Sequence, residues 1–209
     1  MNILPALLHI DSSPLESSIS RELTREYVRS WKTKNPQGKV VTRDLSAQAP
    51  KPIDAFWIAA SYTDAAKRTP EQNAALAVSD QLIGELEAAD EVVIGVAMHN
   101  FSIPASLKLW IDQVVRSGRT FSYASGGPKG LLSGKKATVL SASGGVYEAG
   151  TPAGALNHAD PYLRTVLGFI GVTDVTSLSA GGANRLMGGS VSREAFLKPT
   201  LERVRALAA

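Results

Sequence analysis

Short apolar runs alternate along the chain with longer segments in which apolar residues recur every three or four positions. The runs are rich in Val, Ile and Leu, which predicts buried strands, and the longer spacing predicts amphipathic helices. Strands are predicted over residues 3–10, 38–45, 90–98, 135–145 and 172–182. Helices are predicted over residues 20–34, 69–90, 104–118, 160–171 and 192–209, and the segments 46–68 and 119–134 are predicted to be irregular.

Five strands separated by helices predict one α/β domain over residues 1–209, in which a parallel sheet carries helices on both faces. Right-handed crossovers favour the doubly wound form. With the strand order 2-1-3-4-5, the first, third and fourth strands lie side by side. Such sheets bind ligands at the carboxyl ends of their strands, where the strand order reverses. The predicted ligand site therefore comprises the loops at Asp11–Ser20, Met98–Phe101 and Ala142–Tyr147.

The loop after the first strand is rich in serine and leads directly into a helix. A helix N-terminus presents unpaired N–H groups and the positive end of the helix dipole, which suits a phosphate, and neutral hydroxyls add donors. The alternative is that one serine caps the helix and the others are solvated turn residues. The loop has neither a GxxxxGK[ST] nor a GxGxxG pattern, which disfavours a nucleoside triphosphate or a tightly held dinucleotide.

The other two loops carry groups that suit a flat ring. Met98 and Phe101 would lie beside such a ring, and Asn100 would hydrogen-bond its nitrogens and carbonyls. The alternative is that His99 is an ordinary surface residue and Phe101 belongs to the core. In the third loop, the glycine pair at 144–145 would let the backbone approach a ligand closely, or would simply form a turn.

Composition and charge exclude several classes of chemistry. The chain has no cysteine, so disulfides, thiolate nucleophiles and cysteine-based metal sites are ruled out, and a reducing compartment such as the cytoplasm is expected. The formal charge of +3 comes from scattered Lys and Arg, without the basic stripe of a nucleic-acid-binding protein. No apolar run approaches the ~20 residues that span a bilayer, so no membrane partner is expected. The histidines at positions 9, 99 and 158 lack metal-binding spacing, and no metal is expected.

Four segments together resemble one known family: "HIDSSP…SSIS", "MHNFSIPASLKLWIDQVVRSGRTFSY", "GPKGLLSGKKATVLSASGG" and "YLRTVLGFIGVTDV". They are similar to the FMN-dependent NAD(P)H azoreductases, also called NADH:quinone oxidoreductases, of the flavodoxin-like superfamily. The resemblance runs over nearly the whole chain and implies a flavodoxin-like fold with FMN as the cofactor. The FMN-binding residues that it implies are Ser13, Ser18, Ile19, Ser20, Met98, His99, Asn100, Phe101, Ala142, Ser143, Gly144 and Gly145.

Three positions depart from the pattern of that family. His99 stands where the family commonly has Tyr, Ala97 where it commonly has Pro, and Ser143 where it usually has Arg. Because backbone amides do much of the work of binding FMN, the resemblance still implies FMN binding. The departures leave the range of substrates and the preference between NADH and NADPH open.

The resemblance also implies an activity. Hydride would pass from NADH or NADPH to FMN, and in a second step from FMN to a quinone or an azo compound. The family further implies a homodimer with active sites at the subunit interface, where Phe121 and Phe169 would line the substrate cavity. His99 is a candidate proton donor, and no other catalytic side chain is required. The alternatives are an electron carrier like flavodoxin and a redox sensor, neither of which turns over a small substrate.

Overall fold

The computed structural model of the protein describes residues 4–124 and 126–208. Its strands are β1 (Ala6–Asp11), β2 (Lys39–Asp44), β3 (Glu91–Ala97), β4 (Phe121–Ala124), β5 (Gly127–Gly130), β6 (Lys136–Ala142) and β7 (Asp174–Ala180). Its α-helices are α1 (Ile19–Lys34), α2 (Ala55–Tyr62), α3 (Pro70–Ala88), α4 (Ala105–Val114), α5 (Ala159–Phe169) and α6 (Arg193–Ala208).

The main sheet has five parallel strands in the order β2-β1-β3-β6-β7. These are the five strands predicted from the apolar runs, and their spatial order is the predicted 2-1-3-4-5. The fold prediction is thus confirmed for the sheet and its strand order. The first predicted strand began at Ile3, which lies outside the described residues.

Helices cover both faces of this sheet. Neighbouring residues of a strand point to opposite faces, and accordingly Leu8 and Val92 belong to one hydrophobic cluster, whereas Leu7 and Val93 belong to another. The first cluster includes residues of α3, α4 and α5, and the second includes residues of α1 and α6. Because both faces are buried, the central strands are almost continuously apolar, which made them easy to recognise in the sequence.

The segment 46–68 was predicted to be irregular, and this prediction is wrong because the segment contains α2. The side chain of Asp54 caps the helix by accepting a hydrogen bond from the Trp57 amide at 2.8 Å. Trp57 and Ala60 then pack against Leu76 of α3 in a small hydrophobic cluster. A helix of eight residues with two buried positions is too short to show a clear period in the sequence.

The segment 119–134 was predicted to be a loop, but it forms an antiparallel hairpin of β4 and β5. Ser125 lies outside the described residues. The sequence of β5, "GPKG", is atypical of a strand because Gly and Pro weaken the ladder. Gly130 is required by packing, because a Cβ there would lie 2.2 Å from the backbone nitrogen of Gly171.

Helix α4 ends at Val114, four residues before the predicted end near Gly118. The hydroxyl of Thr120 donates to the carbonyl of Val114 at 2.7 Å and accepts from the amide of Arg116 at 3.0 Å. These side-chain bonds satisfy backbone groups that a longer helix would pair, and they turn the chain toward the hairpin. Across residues 4–124 and 126–208, no helix combines the length and the apolar character needed to cross a membrane.

Candidate functional site

The carboxyl ends of β1, β3 and β6 lie side by side at one edge of the main sheet. Asp11 of β1 is paired with Gly95 of β3, and Ala97 of β3 is paired with Ala142 of β6. The three loops predicted to hold a ligand begin at these ends. We name them the serine loop (residues 12–20), the aromatic turn (residues 98–102) and the glycine loop (residues 142–147).

The serine loop leads into α1 and leaves the N-terminus of that helix open. Ser18 is the N-cap residue, but within the described part of the chain its side chain caps no amide, and its Oγ lies 3.0 Å from the Oγ of Ser20. The first helical hydrogen bond runs from the amide of Glu22 to the carbonyl of Ser18. The amides of residues 19–21 therefore have no acceptor within the helix, and α1 presents three N–H groups and two hydroxyls where it begins.

Two buried serines anchor the start of the same loop. The hydroxyl of Ser12 donates to the carbonyl of Gly95 at 2.6 Å, and the hydroxyl of Ser106, in the first turn of α4, donates to the carbonyl of Ser12 at 3.2 Å. The carbonyl of Ser13 accepts two hydrogen bonds from the side chain of Arg21, at 2.9 Å and 2.7 Å. The serine loop is thus tied to β3, α4 and α1.

The aromatic turn reverses the chain within four residues. The amide of His99 donates to the carbonyl of Ser102, and the amide of Ser102 donates to the carbonyl of His99, both at 3.0 Å. The φ angles of Asn100 and Phe101 are +47° and +70°, the pattern of a type I′ turn. Asn tolerates this conformation, whereas a bulky residue such as Phe adopts it at a cost of about 1–3 kcal/mol. Strain of this kind is concentrated at functional sites.

The exposed side of the aromatic turn carries the side chains singled out in the sequence. His99 and Asn100 are exposed and Met98 is half-buried. Phe101 is 43% exposed, so it is not a core residue, and that alternative is wrong. His99 lies on the surface, as the alternative states, and it belongs to the aromatic turn.

Backbone hydrogen bonds connect the glycine loop to the segment that follows β7. The carbonyls of Ser143, Gly144 and Gly145 accept hydrogen bonds of 2.8–3.0 Å from the amides of residues 183, 184 and 182, in that order. A Cβ at position 144 would lie 2.5 Å from the Oδ1 of Asn184, so the lack of a side chain permits this contact. Ser143 is buried, and its hydroxyl donates to the carbonyl of Gly145 at 2.9 Å.

Direct contacts join the aromatic turn to the glycine loop. The amide of Met98 donates to the carbonyl of Ala142 at 2.8 Å, and the rings of Phe101 and Tyr147 meet edge to face with their centroids 5.9 Å apart. Together with the pairing of the strand ends, these contacts place the three loops next to one another at one edge of the sheet. The serine loop offers N–H and hydroxyl groups that suit a phosphate. The aromatic turn and the glycine loop offer an exposed side-chain amide, an aromatic ring and glycine backbone.

Comparison with known proteins assigns the fold family. The family described as having the flavodoxin-like fold matches residues 5–207 of the chain. The chain belongs to this flavodoxin-like family. Its site loops occupy the edge of the sheet at which doubly wound folds of this type bind ligands.

Two relatives and one solved structure that are similar to this flavodoxin-like protein have names that state an enzymatic activity. The FMN-dependent NADH:quinone oxidoreductase of Acidobacterium capsulatum is 61% identical over 203 residues, which cover 97% of this chain and 98% of that protein. FMN-dependent NADH:quinone oxidoreductase 3 of Burkholderia lata is 47% identical over 202 residues, covering 96% and 98% of the two chains. A crystal structure of azoreductase from Bacillus anthracis superposes with a TM-score of 0.87 at 30% identity, covering 98% of each chain.

Phe121 and Phe169 of the flavodoxin-like chain contact each other but lie apart from its three loops. Their ring centroids are 4.6 Å apart. Helix α5 begins beside the aromatic turn, where the amide of His158 donates to the carbonyl of Phe101, and it ends at Phe169. Its 11 residues correspond to a length of about 16 Å. The two phenylalanines are therefore one helix length from the site within the same chain.

A buried arginine that the sequence did not single out contacts the serine loop of this flavodoxin-like protein. Arg21 is 7% exposed, and its guanidinium contacts the carboxylate of Asp44 at 2.7 Å and the carbonyl of Ser13. Hydrogen bonding to Asp44 raises the pKa of Arg21. Burial raises the pKa of Asp44, but hydrogen bonds from Arg21 and Ser46 outweigh burial and lower that pKa to about 2. An arginine inside a predicted helix gave no signal that its side chain would turn back toward the loop.

Two further parts of the site were not predicted from the sequence. The sequence indicates Tyr147 only as the last residue of the glycine loop, and it predicts no role for the segment after β7. A polar, glycine-containing segment after the fifth strand, "AGGAN", was a usable signal, because it follows a neighbouring strand end. Across the two described ranges, no group of three or more His, Asp or Glu side chains is placed to hold a metal ion.

Proposed function

We propose that this protein is an FMN-dependent oxidoreductase that transfers hydride from NADH or NADPH to quinones and azo compounds. The observation that carries the proposal is the arrangement of three sequence-distant loops at adjacent strand ends of one sheet edge, where one loop carries an open helix N-terminus and another a strained turn. Relatives that are 61% and 47% identical and are named FMN-dependent NADH:quinone oxidoreductases support it.

The donors of the serine loop fit the monophosphate of FMN. We assign the phosphate to Ser18, Ile19 and Ser20. Ser13 is buried beside them and supports the serine loop through the hydrogen bonds of its carbonyl with Arg21. Three free amides and two hydroxyls match the oxygens of a phosphate, and the positive end of the α1 dipole favours its charge. A monophosphate suits a site with these neutral donors better than a longer, more highly charged phosphate chain.

The other two loops fit the flavin ring. We assign the ring to Met98, His99, Asn100 and Phe101 on one side and to Ala142, Ser143, Gly144 and Gly145 on the other. The thioether and phenyl groups offer apolar contact to its faces, and the amide of Asn100 offers both a donor and an acceptor. The exposed left-handed turn brings main-chain amides to the surface, where the ring edge would accept hydrogen bonds from them.

The chain supplies orientation and electrostatics for the reaction. When bound, FMN supplies the capacity to accept a hydride from a nicotinamide and to deliver it to a second substrate. Amides of the aromatic turn and the glycine loop are preorganised donors for the negative charge of a reduced ring. His99 is exposed next to Asn100, where its imidazole can give a proton to the acceptor.

A homodimer explains the position of the two phenylalanines. Phe121 lines a groove of about 400 Å³ together with Ile58 and Tyr62 of α2, which are 44% and 77% exposed. Exposed apolar groups of this size favour contact with another protein surface. We propose that a second copy covers this groove, so that Phe121 and Phe169 of one subunit border the substrate cavity of the other.

The dimer proposal predicts that a charge in the groove weakens self-association. We expect Ile58→Glu to reduce the mass measured by light scattering from that of a dimer to that of a monomer, because an ionised carboxylate is costly to bury. Leu207→Glu, at an exposed apolar position of α6, is the matched control and should leave the mass unchanged. A monomeric wild-type protein, or a dimer that tolerates Ile58→Glu, would contradict the proposed interface.

Turnover tests the proposed function directly. We expect the purified protein to oxidise NADH or NADPH in the presence of a benzoquinone far faster than the same concentration of free FMN does. Parallel assays with the two nicotinamides and with an azo dye measure donor and acceptor preference. An electron carrier or a redox sensor would show no turnover above free FMN, and that outcome would replace the proposal by one of those alternatives. We propose the cytoplasm as the compartment, because a chain without cysteine fits a reducing environment.

A further inference from the structure

We propose that Arg21 is a positioning residue for the serine loop: its buried guanidinium fixes the main chain at Ser13 and thereby sets where the monophosphate end of a flavin binds. The identity of the ligand rests on the proposed function. The positioning itself concerns contacts within this chain and is testable without any ligand.

The guanidinium connects the loop to the ends of two strands. Its Nε and Nη2 donate to the carbonyl of Ser13 at 2.9 Å and 2.7 Å. Nη2 also contacts both carboxylate oxygens of Asp44, at 2.7 Å and 2.9 Å, and Nη1 lies 3.5 Å from the Oδ2 of Asp11. Asp44 and Asp11 are the last residues of β2 and β1. The rigid sheet is thereby linked to the loop through one side chain.

Arg21 is turned away from the open end of α1. Its backbone amide belongs to the uncapped first turn, whereas its side chain reaches back to the sheet and is only 7% exposed. The guanidinium is occupied by Ser13, Asp44 and Asp11, and Nη2 also donates to the hydroxyl of Ser46 at 2.7 Å. Its effect on a bound phosphate is therefore exerted through the loop and not by direct contact.

The charge balance makes this arginine hard to replace. Asp11 is 5% exposed, Thr24 donates to its Oδ1 at 2.8 Å, and the Nε2 of His9 lies 3.2 Å from its Oδ2. Arg21 faces the carboxylates of both Asp11 and Asp44. Without Arg21, these two carboxylates would lose the guanidinium that they share, beneath the site proposed for the phosphate. A lysine would restore the charge but not the planar set of donors that contacts a carbonyl and two carboxylates at once.

Riboflavin lacks the phosphate of FMN. Comparing the Kd values of the two flavins therefore distinguishes a loss of phosphate positioning from a general destabilisation of the protein. We expect Arg21→Gln to raise the Kd of FMN about 10- to 100-fold, while the Kd of riboflavin changes less than about threefold. Arg21→Lys should fall between Arg21→Gln and the wild type. Arg164→Gln, which removes an exposed arginine of α5 that pairs with Asp160, is the control and should change neither Kd. Fluorescence quenching titrations on the full chain measure all of these values.

Hydrogen exchange on the flavin-free protein supplies a second, independent readout. Amides of residues 12–20 should exchange faster in Arg21→Gln than in the wild type, with amides of α6 unchanged. Equal losses of FMN and riboflavin affinity, or unchanged exchange in residues 12–20, would overturn the positioning role. If the wild-type protein bound neither flavin, the proposed function would fail, and hydrogen exchange alone would decide the role of Arg21.

Discussion

Replacing Gly95 with Ala is expected to destabilise the protein by about 1–3 kcal/mol, because the added methyl group overpacks the contact between β3 and α1. A Cβ at this position would lie 2.8 Å from the Oδ1 of Asp11, 2.9 Å from the Cγ2 of Thr24 and 3.4 Å from the carbonyl of Ser20. The Asp11 oxygen is held by the hydroxyl of Thr24, so it cannot move freely. The first turn of α1 would be displaced, and the affinity for FMN should fall with stability.

Gly84→Ala is the matched control for this substitution. Gly84 lies inside α3, and a Cβ there would meet no atom within 4 Å. Alanine is preferred to glycine within a helix, so we expect this variant to be more stable by roughly 0.5–1 kcal/mol. Urea unfolding of both variants measures the change in the free energy of unfolding, which should be negative for Gly95→Ala and positive for Gly84→Ala. Close packing of β3 on α1 would be disproved if Gly95→Ala were as stable as the wild type.

The second large effect is expected at Asn100. Valine at a φ of +47° is strained, because a β-branched side chain disfavours the left-handed region. We expect Asn100→Val to rearrange the aromatic turn and to raise the Kd of FMN by at least about tenfold, in line with a strain of 1–3 kcal/mol. The ring end of the ligand should be affected, so riboflavin should lose affinity to the same extent as FMN. Titration with both flavins measures this effect.

Asn100→Gly separates the backbone of the turn from its side chain. Glycine adopts positive φ without strain, so the turn should persist while the amide group is lost. We expect a smaller loss of flavin affinity than in Asn100→Val. If the two variants lost equal affinity, the side chain of Asn100 would account for the binding, and the left-handed backbone at this position would have no separate role.

The positions of the three loops could be predicted from the sequence because they follow from the sheet. Short apolar runs rich in Val and Ile, such as "EVVIGVA", favour buried strands over helices. Once the strands are parallel, their carboxyl ends lie at one edge, and with the strand order 2-1-3-4-5 the residues after Asp11, Ala97 and Ala142 are neighbours. No knowledge of side-chain packing is needed for this step.

The parts that could not be predicted depend on tertiary contacts. Helix α2 is short and is defined by the cap at Asp54 and by burial of Trp57, which only the folded chain provides. The side chain of Arg21 turns toward Asp44, which lies 23 residues later in the chain. Likewise, the family resemblance implied a role for Phe121 and Phe169, but their distance from the three loops became evident only in three dimensions.

A crystal structure of the protein grown with FMN would show whether the three loops bind a single ligand. We expect one flavin per chain, with its phosphate at the amides of residues 19–21 and its ring between Asn100 and Gly144. FMN bound at a different surface, or a flavin that contacts only one of the three loops, would contradict it.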